Sequence, residues 1–123
     1  MKLKITIGTN VFTATLYKNE SANAFEKNLP ITMNMKELNG NEKYFDLPKN
    51  RPANASNPAT IQSGDLMLYR SNTIVLFYKT FSTPYNYSPI GLIDHPSGLA
   101  AALGSGNVTV SFEVEKNYNG HRK

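Results

Sequence analysis

Residues 73–78 read Thr-Ile-Val-Leu-Phe-Tyr, a run that would place β-branched and aromatic side chains on both faces of a strand. A short, uninterrupted apolar run of this kind predicts a strand that is buried on both sides. Upstream, Gly64-Asp65 is a turn signal that leads into a second apolar run at 66–69, and Arg70-Ser71-Asn72 marks another turn. We therefore expect residues 73–78 to form the central strand of a β core.

Alternating polar and apolar residues predict further strands on either side of this centre. Leu3, Ile5 and Ile7 alternate with polar residues, and the alternation resumes at 11–17 after the turn signal Gly8-Thr9-Asn10. A period of two is typical of a half-buried strand, so these two runs predict a hairpin. The same period predicts strands at 31–36 and, most cleanly, at 108–114.

Turn residues predict how the remaining strands are joined. Asn39-Gly40 is the strongest signal for a two-residue hairpin turn, because both residues tolerate a positive φ. We expect a return strand after it at Tyr44–Leu47, and a short strand at Ile90–Ile93. Two segments without an apolar period are predicted to be long loops, namely Pro48–Ser63 and Lys79–Pro89.

Two short helices are predicted outside the strands. The first begins after a candidate N-cap at Asn19 or Ser21 and ends before Pro30, and its apolar residues at 22, 25 and 29 share one face. The second is expected at 98–103, capped by Ser97 and ended by Gly104.

These elements predict a mainly β fold in one domain, residues 1–115, followed by a polar basic tail at 116–123. About eight short strands at regular spacing are typical of a closed barrel or a sandwich, and a barrel leaves no exposed edge. In a barrel, the two amphipathic helices would cap the two open ends.

Composition and charge exclude several classes of function. Residues 1–115 carry ten Lys or Arg and nine Asp or Glu, so the basic excess lies in the tail and no nucleic-acid-binding stripe is expected. There is no cysteine and no stretch long enough to span a membrane. The alternating start at 1–8 predicts a strand rather than a signal peptide. We expect a cytoplasmic protein, and an exported form whose signal peptide has been removed is the alternative.

Three stretches resemble the bacterial cyclophilin-like domain family. They are Gly64-Asp65-Leu66-Met67-Leu68-Tyr69, the run from Asn72 to Phe81, and the run from Tyr85 through Ile90-Gly91. The resemblance extends over nearly the whole chain, to the helix that ends at Leu29-Pro30 and to the segment from Gly104 to Val114. It implies a closed, eight-stranded cyclophilin-like barrel capped by two short helices.

The same resemblance bears on catalysis. True cyclophilins are peptidyl-prolyl isomerases that use an arginine in a Phe-His-Arg motif on the strand after the first helix. The matching strand here, Ile31–Leu38, contains neither arginine nor histidine. No residue of this chain therefore matches the catalytic arginine, and Lys36 lacks its planar, forked donor geometry.

No other catalytic, metal or cofactor site is predicted. His95 precedes Pro96 in a turn beside Asp94, and His121 lies in the tail, so neither forms part of a recognisable catalytic set. The acidic residues are scattered singly among turns and do not make a metal motif. Gly104-Ser105-Gly106 follows a helix instead of preceding one, which is not the arrangement of a phosphate-binding loop.

Aromatic and flexible apolar side chains supply the candidate ligand site. Tyrosines and phenylalanines bracket the central strand and the loop after it, and loops on a rigid barrel are common positions for a binding site. Methionines on the strand after the first helix could contribute to such a groove, and one arginine could pair with an anionic group. The alternative is that these residues only pack the loop against the barrel. The candidate ligand-binding residues are Met33, Met35, Tyr69, Arg70, Tyr78, Thr80, Phe81 and Tyr85.

The sequence thus favours a non-catalytic binding module for a small apolar ligand or an extended peptide, held in a groove lined by Met33, Met35, Tyr78 and Phe81. A peptidyl-prolyl isomerase-like enzyme with an altered active site is the second hypothesis. An interaction or structural protein, such as a homodimer, is the third.

Overall fold

The computed structural model describes residues 1–115, and the predicted tail at 116–123 lies outside them. Within these residues the chain forms ten strands and two helices. Their order is β1 (Lys2–Ile7), β2 (Asn10–Leu16), α1 (Glu20–Lys27), β3 (Ile31–Leu38), β4 (Glu42–Asp46), β5 (Thr60–Ile61), β6 (Asp65–Tyr69), β7 (Thr73–Phe77), β8 (Phe81–Ser82), β9 (Ser88–Ile93), α2 (Leu99–Leu103) and β10 (Val108–Val114).

Eight of these strands close into an antiparallel barrel in the order β1-β10-β3-β4-β7-β6-β9-β2, with β2 pairing back to β1. This confirms the predicted closed, eight-stranded barrel. The remaining strands, β5 and β8, pair only with each other. They lie in the two segments predicted to be loops, which are further joined by a bridge between Ser56 and Tyr87.

The barrel interior holds the main hydrophobic core, and strand alternation decides which residues enter it. Leu3, Ile5 and Ile7 on β1 and Met33 and Met35 on β3 all belong to this core, and each is at most 2% exposed. These residues occupy every second position of their strands and point inward, as expected for strands with one solvated face.

The central strand β7 is buried on both faces, as its sequence predicts. Ile74 and Leu76 face the main core, whereas Val75 and Phe77 point out of the barrel. A second hydrophobic cluster forms around these outward residues, because the two long loops fold over this side of the barrel. Its buried members are Ile61, Met67, Val75, Phe77 and Tyr87.

The two helices lie at opposite ends of the barrel. Helix α1 precedes the start of β3, and that start pairs with the end of β10 through Ile31 and Phe112. Helix α2 instead precedes the start of β10. Each helix contributes apolar residues to the main core, and the ring of Phe25 on α1 packs edge-on against Phe112 at 5.5 Å between centroids.

The predicted N-cap residue is confirmed for helix α1 but not for helix α2. Asn19 is the N-cap of α1, with its Oδ1 accepting from the Ala22 amide at 2.8 Å, whereas Ser21 lies inside the helix and donates to the Pro52 carbonyl. The predicted Ser97 cap of α2 is wrong, because the N-cap is Gly98, whose φ of 83° is a left-handed conformation that suits glycine.

The predicted Asn39-Gly40 turn is present, but it is one residue longer than expected. Asn39 and Gly40 have φ values of 57° and 67°, and Leu38 pairs with Glu42 across a loop that also includes Asn41. As a result, β4 begins at Glu42 rather than at Tyr44. No helix in residues 1–115 has the length and apolar character needed to cross a membrane.

Candidate functional site

The candidate site is a cavity of about 400 Å³ on the outer face of the barrel. Strand alternation places it there, since Lys43 on β4 points inward and its neighbours Glu42 and Tyr44 therefore point outward. The β3–β4 hairpin, the β6–β7 turn and the loop before β9 surround the cavity. Its lining residues are Leu38, Asn39, Glu42, Tyr44, Asp46, Tyr69, Arg70, Thr73, Val75, Tyr85 and Tyr87.

Tyrosine rings form much of the wall. The Tyr69 ring meets Tyr85 edge-on, with 6.3 Å between centroids, and lies 5.5 Å from Tyr87. Tyr87 in turn packs edge-on against Phe77 at 5.4 Å, which ties the wall to the second cluster. Tyr85 is 57% exposed, so it stands at the mouth of the cavity. Such a wall offers apolar ring faces together with hydroxyl groups.

Glu42 differs from the other charged residues of the cavity because it is buried and has no partner for its carboxyl group among residues 1–115. Only 9% of the residue is exposed, and its carboxyl group makes no hydrogen bond or ion pair with any residue in 1–115. Burial, and to a lesser extent the nearby negative charge of Glu37, together raise the pKa of Glu42 to about 7. A carboxyl group with such a pKa can accept or release a proton near neutral pH.

Two other charged groups line the cavity, and both already have a contact. Asp46 accepts a hydrogen bond from the Thr73 hydroxyl at 2.7 Å. The Arg70 guanidinium lies 5.4 Å from the centre of the Tyr69 ring, within the range of a cation–π contact. The cavity thus combines two carboxyl groups and one guanidinium with four tyrosines.

The structure separates the predicted site residues into two groups. Tyr69, Arg70 and Tyr85 line the cavity. Met33 and Met35 do not, because they have no exposed surface and fill the closed barrel core. A ligand could reach these methionines only if the barrel opened, which corrects their assignment to a binding groove.

The other predicted residues also lie elsewhere. Tyr78 packs against the main core and donates to Glu37, whereas Phe81 packs against Phe77 in the second cluster. Thr80 accepts a hydrogen bond from the Ser63 amide at 3.1 Å. The groove expected from Met33, Met35, Tyr78 and Phe81 therefore does not form, because these side chains belong to two different hydrophobic clusters.

Sequence reasoning missed the contribution of β4, which supplies Glu42, Tyr44 and Asp46 to the cavity. A signal was available in the segment Glu-Lys-Tyr-Phe-Asp, where alternation places residues 42, 44 and 46 on one face. The outward face of this strand was not recognised because Lys43 would then have to point inward, and a charged lysine is unusual inside a barrel. Tyr87 was missed because its loop gave no periodic signal.

Lys43 forms a separate polar group between the β3–β4 hairpin and the segment after α2. Its Nζ lies 2.9 Å from Glu37 Oε1 and donates to the carbonyls of Gly104 and Gly106 at 2.8 and 2.6 Å. The Tyr78 hydroxyl donates to the same carboxylate oxygen at 2.7 Å. Although its partial burial favours the neutral acid, these donors and the Gly40 amide hold the pKa of Glu37 below its usual value.

The other groups singled out in the sequence have local roles. Asp94 accepts hydrogen bonds at 2.7 Å from Lys2 and from Thr15, rather than pairing with His95. Asp65 accepts from the Gln62 amide at 2.7 Å, as expected for a turn residue. Within residues 1–115, no three side chains of His, Cys, Asp or Glu converge as a metal site would require.

A second cavity, of about 310 Å³, borders the second cluster at Met67 and lies against β6 and the start of β9. It includes Tyr17 and Asp65, and it contains none of the predicted ligand-binding residues. This makes it a useful internal comparison for the first cavity.

Comparisons with known proteins agree with this architecture. The solution structure of a hypothetical protein from Archaeoglobus fulgidus superposes with a TM-score of 0.58 at 20% identity, and the match covers 94% of this chain and 95% of that one. At that identity the likeness concerns the fold alone. No curated protein matches the chain. The model of the Cyclophilin-like family matches residues 5–113, which is most of the sequence, and the chain accordingly belongs to the cyclophilin-like family.

Proposed function

We propose that this protein is a binding module that holds a small ligand with an apolar part, or a short extended peptide segment, in the outer cavity beside β4. The observation that carries the proposal is the cavity itself, about 400 Å³ in volume and walled by four tyrosines. Ligand sites are commonly concave and largely apolar, with a few convergent polar groups, and this cavity fits that description.

The position of the cavity adds support. Its walls come from paired barrel strands and from a loop segment tied down by the Ser56–Tyr87 bridge and by the Tyr87–Phe77 ring contact. Side chains on such a rigid support lose little freedom when a ligand binds, which favours affinity. Two exposed apolar side chains, Leu38 and Tyr85, border the same cavity and would gain contacts with a ligand.

The test is a binding screen by two-dimensional amide NMR, using a set of small aromatic and aliphatic molecules and a pool of random hexapeptides. We expect at least one probe to shift the amide signals of residues around Tyr69 and Tyr85. Tyr85→Ala should weaken that binding, whereas Tyr17→Ala, which changes an exposed tyrosine of the second cavity, should not. Probes that bind only near Tyr17, or nowhere, would refute the proposal.

A peptidyl-prolyl isomerase activity is a second candidate, favoured by one observation. Arg70 lines the cavity, so a guanidinium is available there although the strand after α1 has none. Such a group could donate to a prolyl nitrogen and weaken the resonance of the amide bond. A proline-isomerisation assay with the wild type and with Arg70→Lys tests this, and a rate equal to the uncatalysed background at high protein concentration would eliminate it.

A homodimer is the third candidate for how the protein acts. The exposed large apolar residues in 1–115 are Met1, Val11, Tyr17, Leu38 and Tyr85, of which Leu38 and Tyr85 line the first cavity and Tyr17 lines the second. Gel filtration at two concentrations tests the proposal, and elution as a monomer at both would remove it.

A further inference from the structure

Glu42 is a buried acidic residue that lines the cavity of the proposed binding site. An acidic residue that is nine-tenths buried normally has a hydrogen-bond or ion-pair partner, because removing a charge from water is costly. Glu42 is 9% exposed, lines the cavity, and has no such partner among residues 1–115. The group is therefore placed to accept a hydrogen bond from something that enters the cavity.

Neither the lysine next to Glu42 in the sequence nor the arginine that lines the same cavity fills this role. Lys43 is adjacent in sequence, but it points into the barrel and is already bound to Glu37 and to two carbonyl groups. Arg70 lines the cavity, but its guanidinium lies over the Tyr69 ring and forms no ion pair with Glu42. Neither cation neutralises the carboxylate of Glu42.

We infer that the cavity accepts a cationic ligand group, such as an alkylammonium, with Glu42 as its hydrogen-bond acceptor and the surrounding tyrosine rings as its walls. This inference rests on the proposed binding function and specifies the chemical class of the ligand. Ring faces attract cations through their quadrupole, and Tyr69 already holds the Arg70 guanidinium at 5.4 Å. Asp46 adds a second negative charge at the same cavity.

Charged and titratable groups surround Glu42, and its own ionisation gives this inference a pH dependence. Glu37 on β3 and Asp46 on β4 are negative, Arg70 at the β6–β7 turn is positive, and Tyr78 and Tyr87 are close enough to sense the carboxylate. With a pKa of about 7, Glu42 loses its proton as pH rises through neutrality. A cation binds the ionised form, so its affinity should be roughly tenfold lower at pH 6 than at pH 8.

Three probes of nearly equal shape test the charge preference: benzylammonium, benzyl alcohol and benzoate. Each is titrated into the whole protein and followed by the amide signals around Glu42 and Tyr69. We expect benzylammonium to bind most tightly and benzoate least. Equal binding of all three, or a preference for benzoate through Arg70, would overturn the inference while leaving the proposed binding function intact. Failure of all three, together with a failed screen, would overturn both.

Two matched variants then identify the acceptor. Glu42→Gln keeps the shape of the side chain and removes its charge, and it should weaken benzylammonium binding at pH 8 by about tenfold while leaving benzyl alcohol unchanged. Asp46→Asn removes a carboxylate that already accepts from Thr73, so its effect should be smaller. Two results would contradict the assignment of Glu42 as the acceptor. In the first, Glu42→Gln leaves the affinity for benzylammonium unchanged. In the second, the pH dependence of that affinity disappears in Asp46→Asn but not in Glu42→Gln.

Discussion

Lys43 and Glu37 face each other across the β3–β4 hairpin, with 2.9 Å between Nζ and Oε1, and the lysine side chain has no exposed surface. The same ammonium donates to the carbonyls of Gly104 and Gly106. One buried charge thus joins β4 to the segment between α2 and β10. Since a buried charge is tolerated only when its donors are satisfied, the three acceptors explain why a lysine can occupy the barrel interior.

Removing this ammonium should destabilise the barrel. Lys43→Met keeps a long, flexible side chain, but it removes the ammonium donor of two glycine carbonyls and the cationic partner of Glu37, which keeps only Tyr78 and the Gly40 amide. We expect the free energy of unfolding to fall by about 2–4 kcal/mol. The measurement is urea denaturation at neutral pH, with the exposed Lys49→Met as the control. Equal loss in both variants would show that the network adds nothing specific.

The hydroxyl of Tyr78 should make stability depend on pH in the alkaline range. It donates to Glu37 Oε1, and its partial burial, together with that bond and the negative charges of Glu37 and Glu42, raises the pKa of Tyr78 to about 12. In the unfolded chain the group ionises near 10.0, so its contribution is complete below that pH and disappears as pH rises through 12.

The variant that isolates this effect is Tyr78→Phe. It should lose about 1 kcal/mol at neutral pH, the usual net worth of one hydrogen bond, and should show a smaller fall in stability between pH 10 and pH 12 than the wild type. Urea denaturation at a series of pH values provides the comparison. Identical alkaline profiles for the two proteins would rule out Tyr78 as the source.

Strand periodicity accounts for how well the fold could be predicted. Inward and outward residues alternate without interruption along β1, β3 and β10, and the run at 73–78 is apolar on both faces because the loops cover its outer side. The short β5–β8 pair was not predicted, since two-residue strands carry no period. Its partners are fixed by tertiary packing and not by local sequence.

The candidate site was less predictable, for a physical reason. Tyr69 and Tyr85 were predicted because aromatic residues near loops are typical of binding sites, and Arg70 because it could pair with an anionic group; all three line the cavity. Met33 and Met35 were predicted because flexible apolar side chains can line a ligand groove, but the barrel closes over them. Whether an apolar side chain fills a core or borders a cavity depends on which strands become neighbours, and β4 and β6 become close only through β7.

Glu42 should reduce stability as pH rises from about 4.5 towards 7 in the absence of ligand. Its pKa is raised from 4.5 to about 7, so the fold favours the protonated acid. The stabilisation is complete below pH 4.5 and is lost as pH approaches 7. At pH 8, Glu42→Gln should therefore be more stable than the wild type by about 1–2 kcal/mol, and at pH 4 the two should be alike.

Thermal denaturation of both proteins across this pH range measures the difference. Asp46→Asn is the matched control, because its carboxylate has a hydrogen-bond partner in Thr73. A Glu42→Gln protein that is less stable than the wild type at pH 8 would mean that Glu42 has a stabilising contact in the free protein.

Gly91 should be essential for closing the barrel between β2 and β9. A Cβ atom at this position would lie 2.7 Å from the carbonyl oxygen of Thr15 and 3.5 Å from Leu16 Cα, both on the neighbouring strand. The nearest contact is with backbone, so the strands themselves would have to separate. We expect Gly91→Ala to lower the free energy of unfolding by about 2–4 kcal/mol, in the range of overpacked core substitutions.

The control is Ser105→Ala, a change of similar size at an exposed loop position, which should leave stability within about 0.5 kcal/mol of the wild type. Urea denaturation gives the free energies, and amide hydrogen exchange locates the change. Protection should fall first along β2 and β9, because their shared hydrogen bonds would lengthen, whereas β1 and β10 should keep theirs. A Gly91→Ala protein with wild-type stability would show that the two strands can separate locally without loss of the closed barrel.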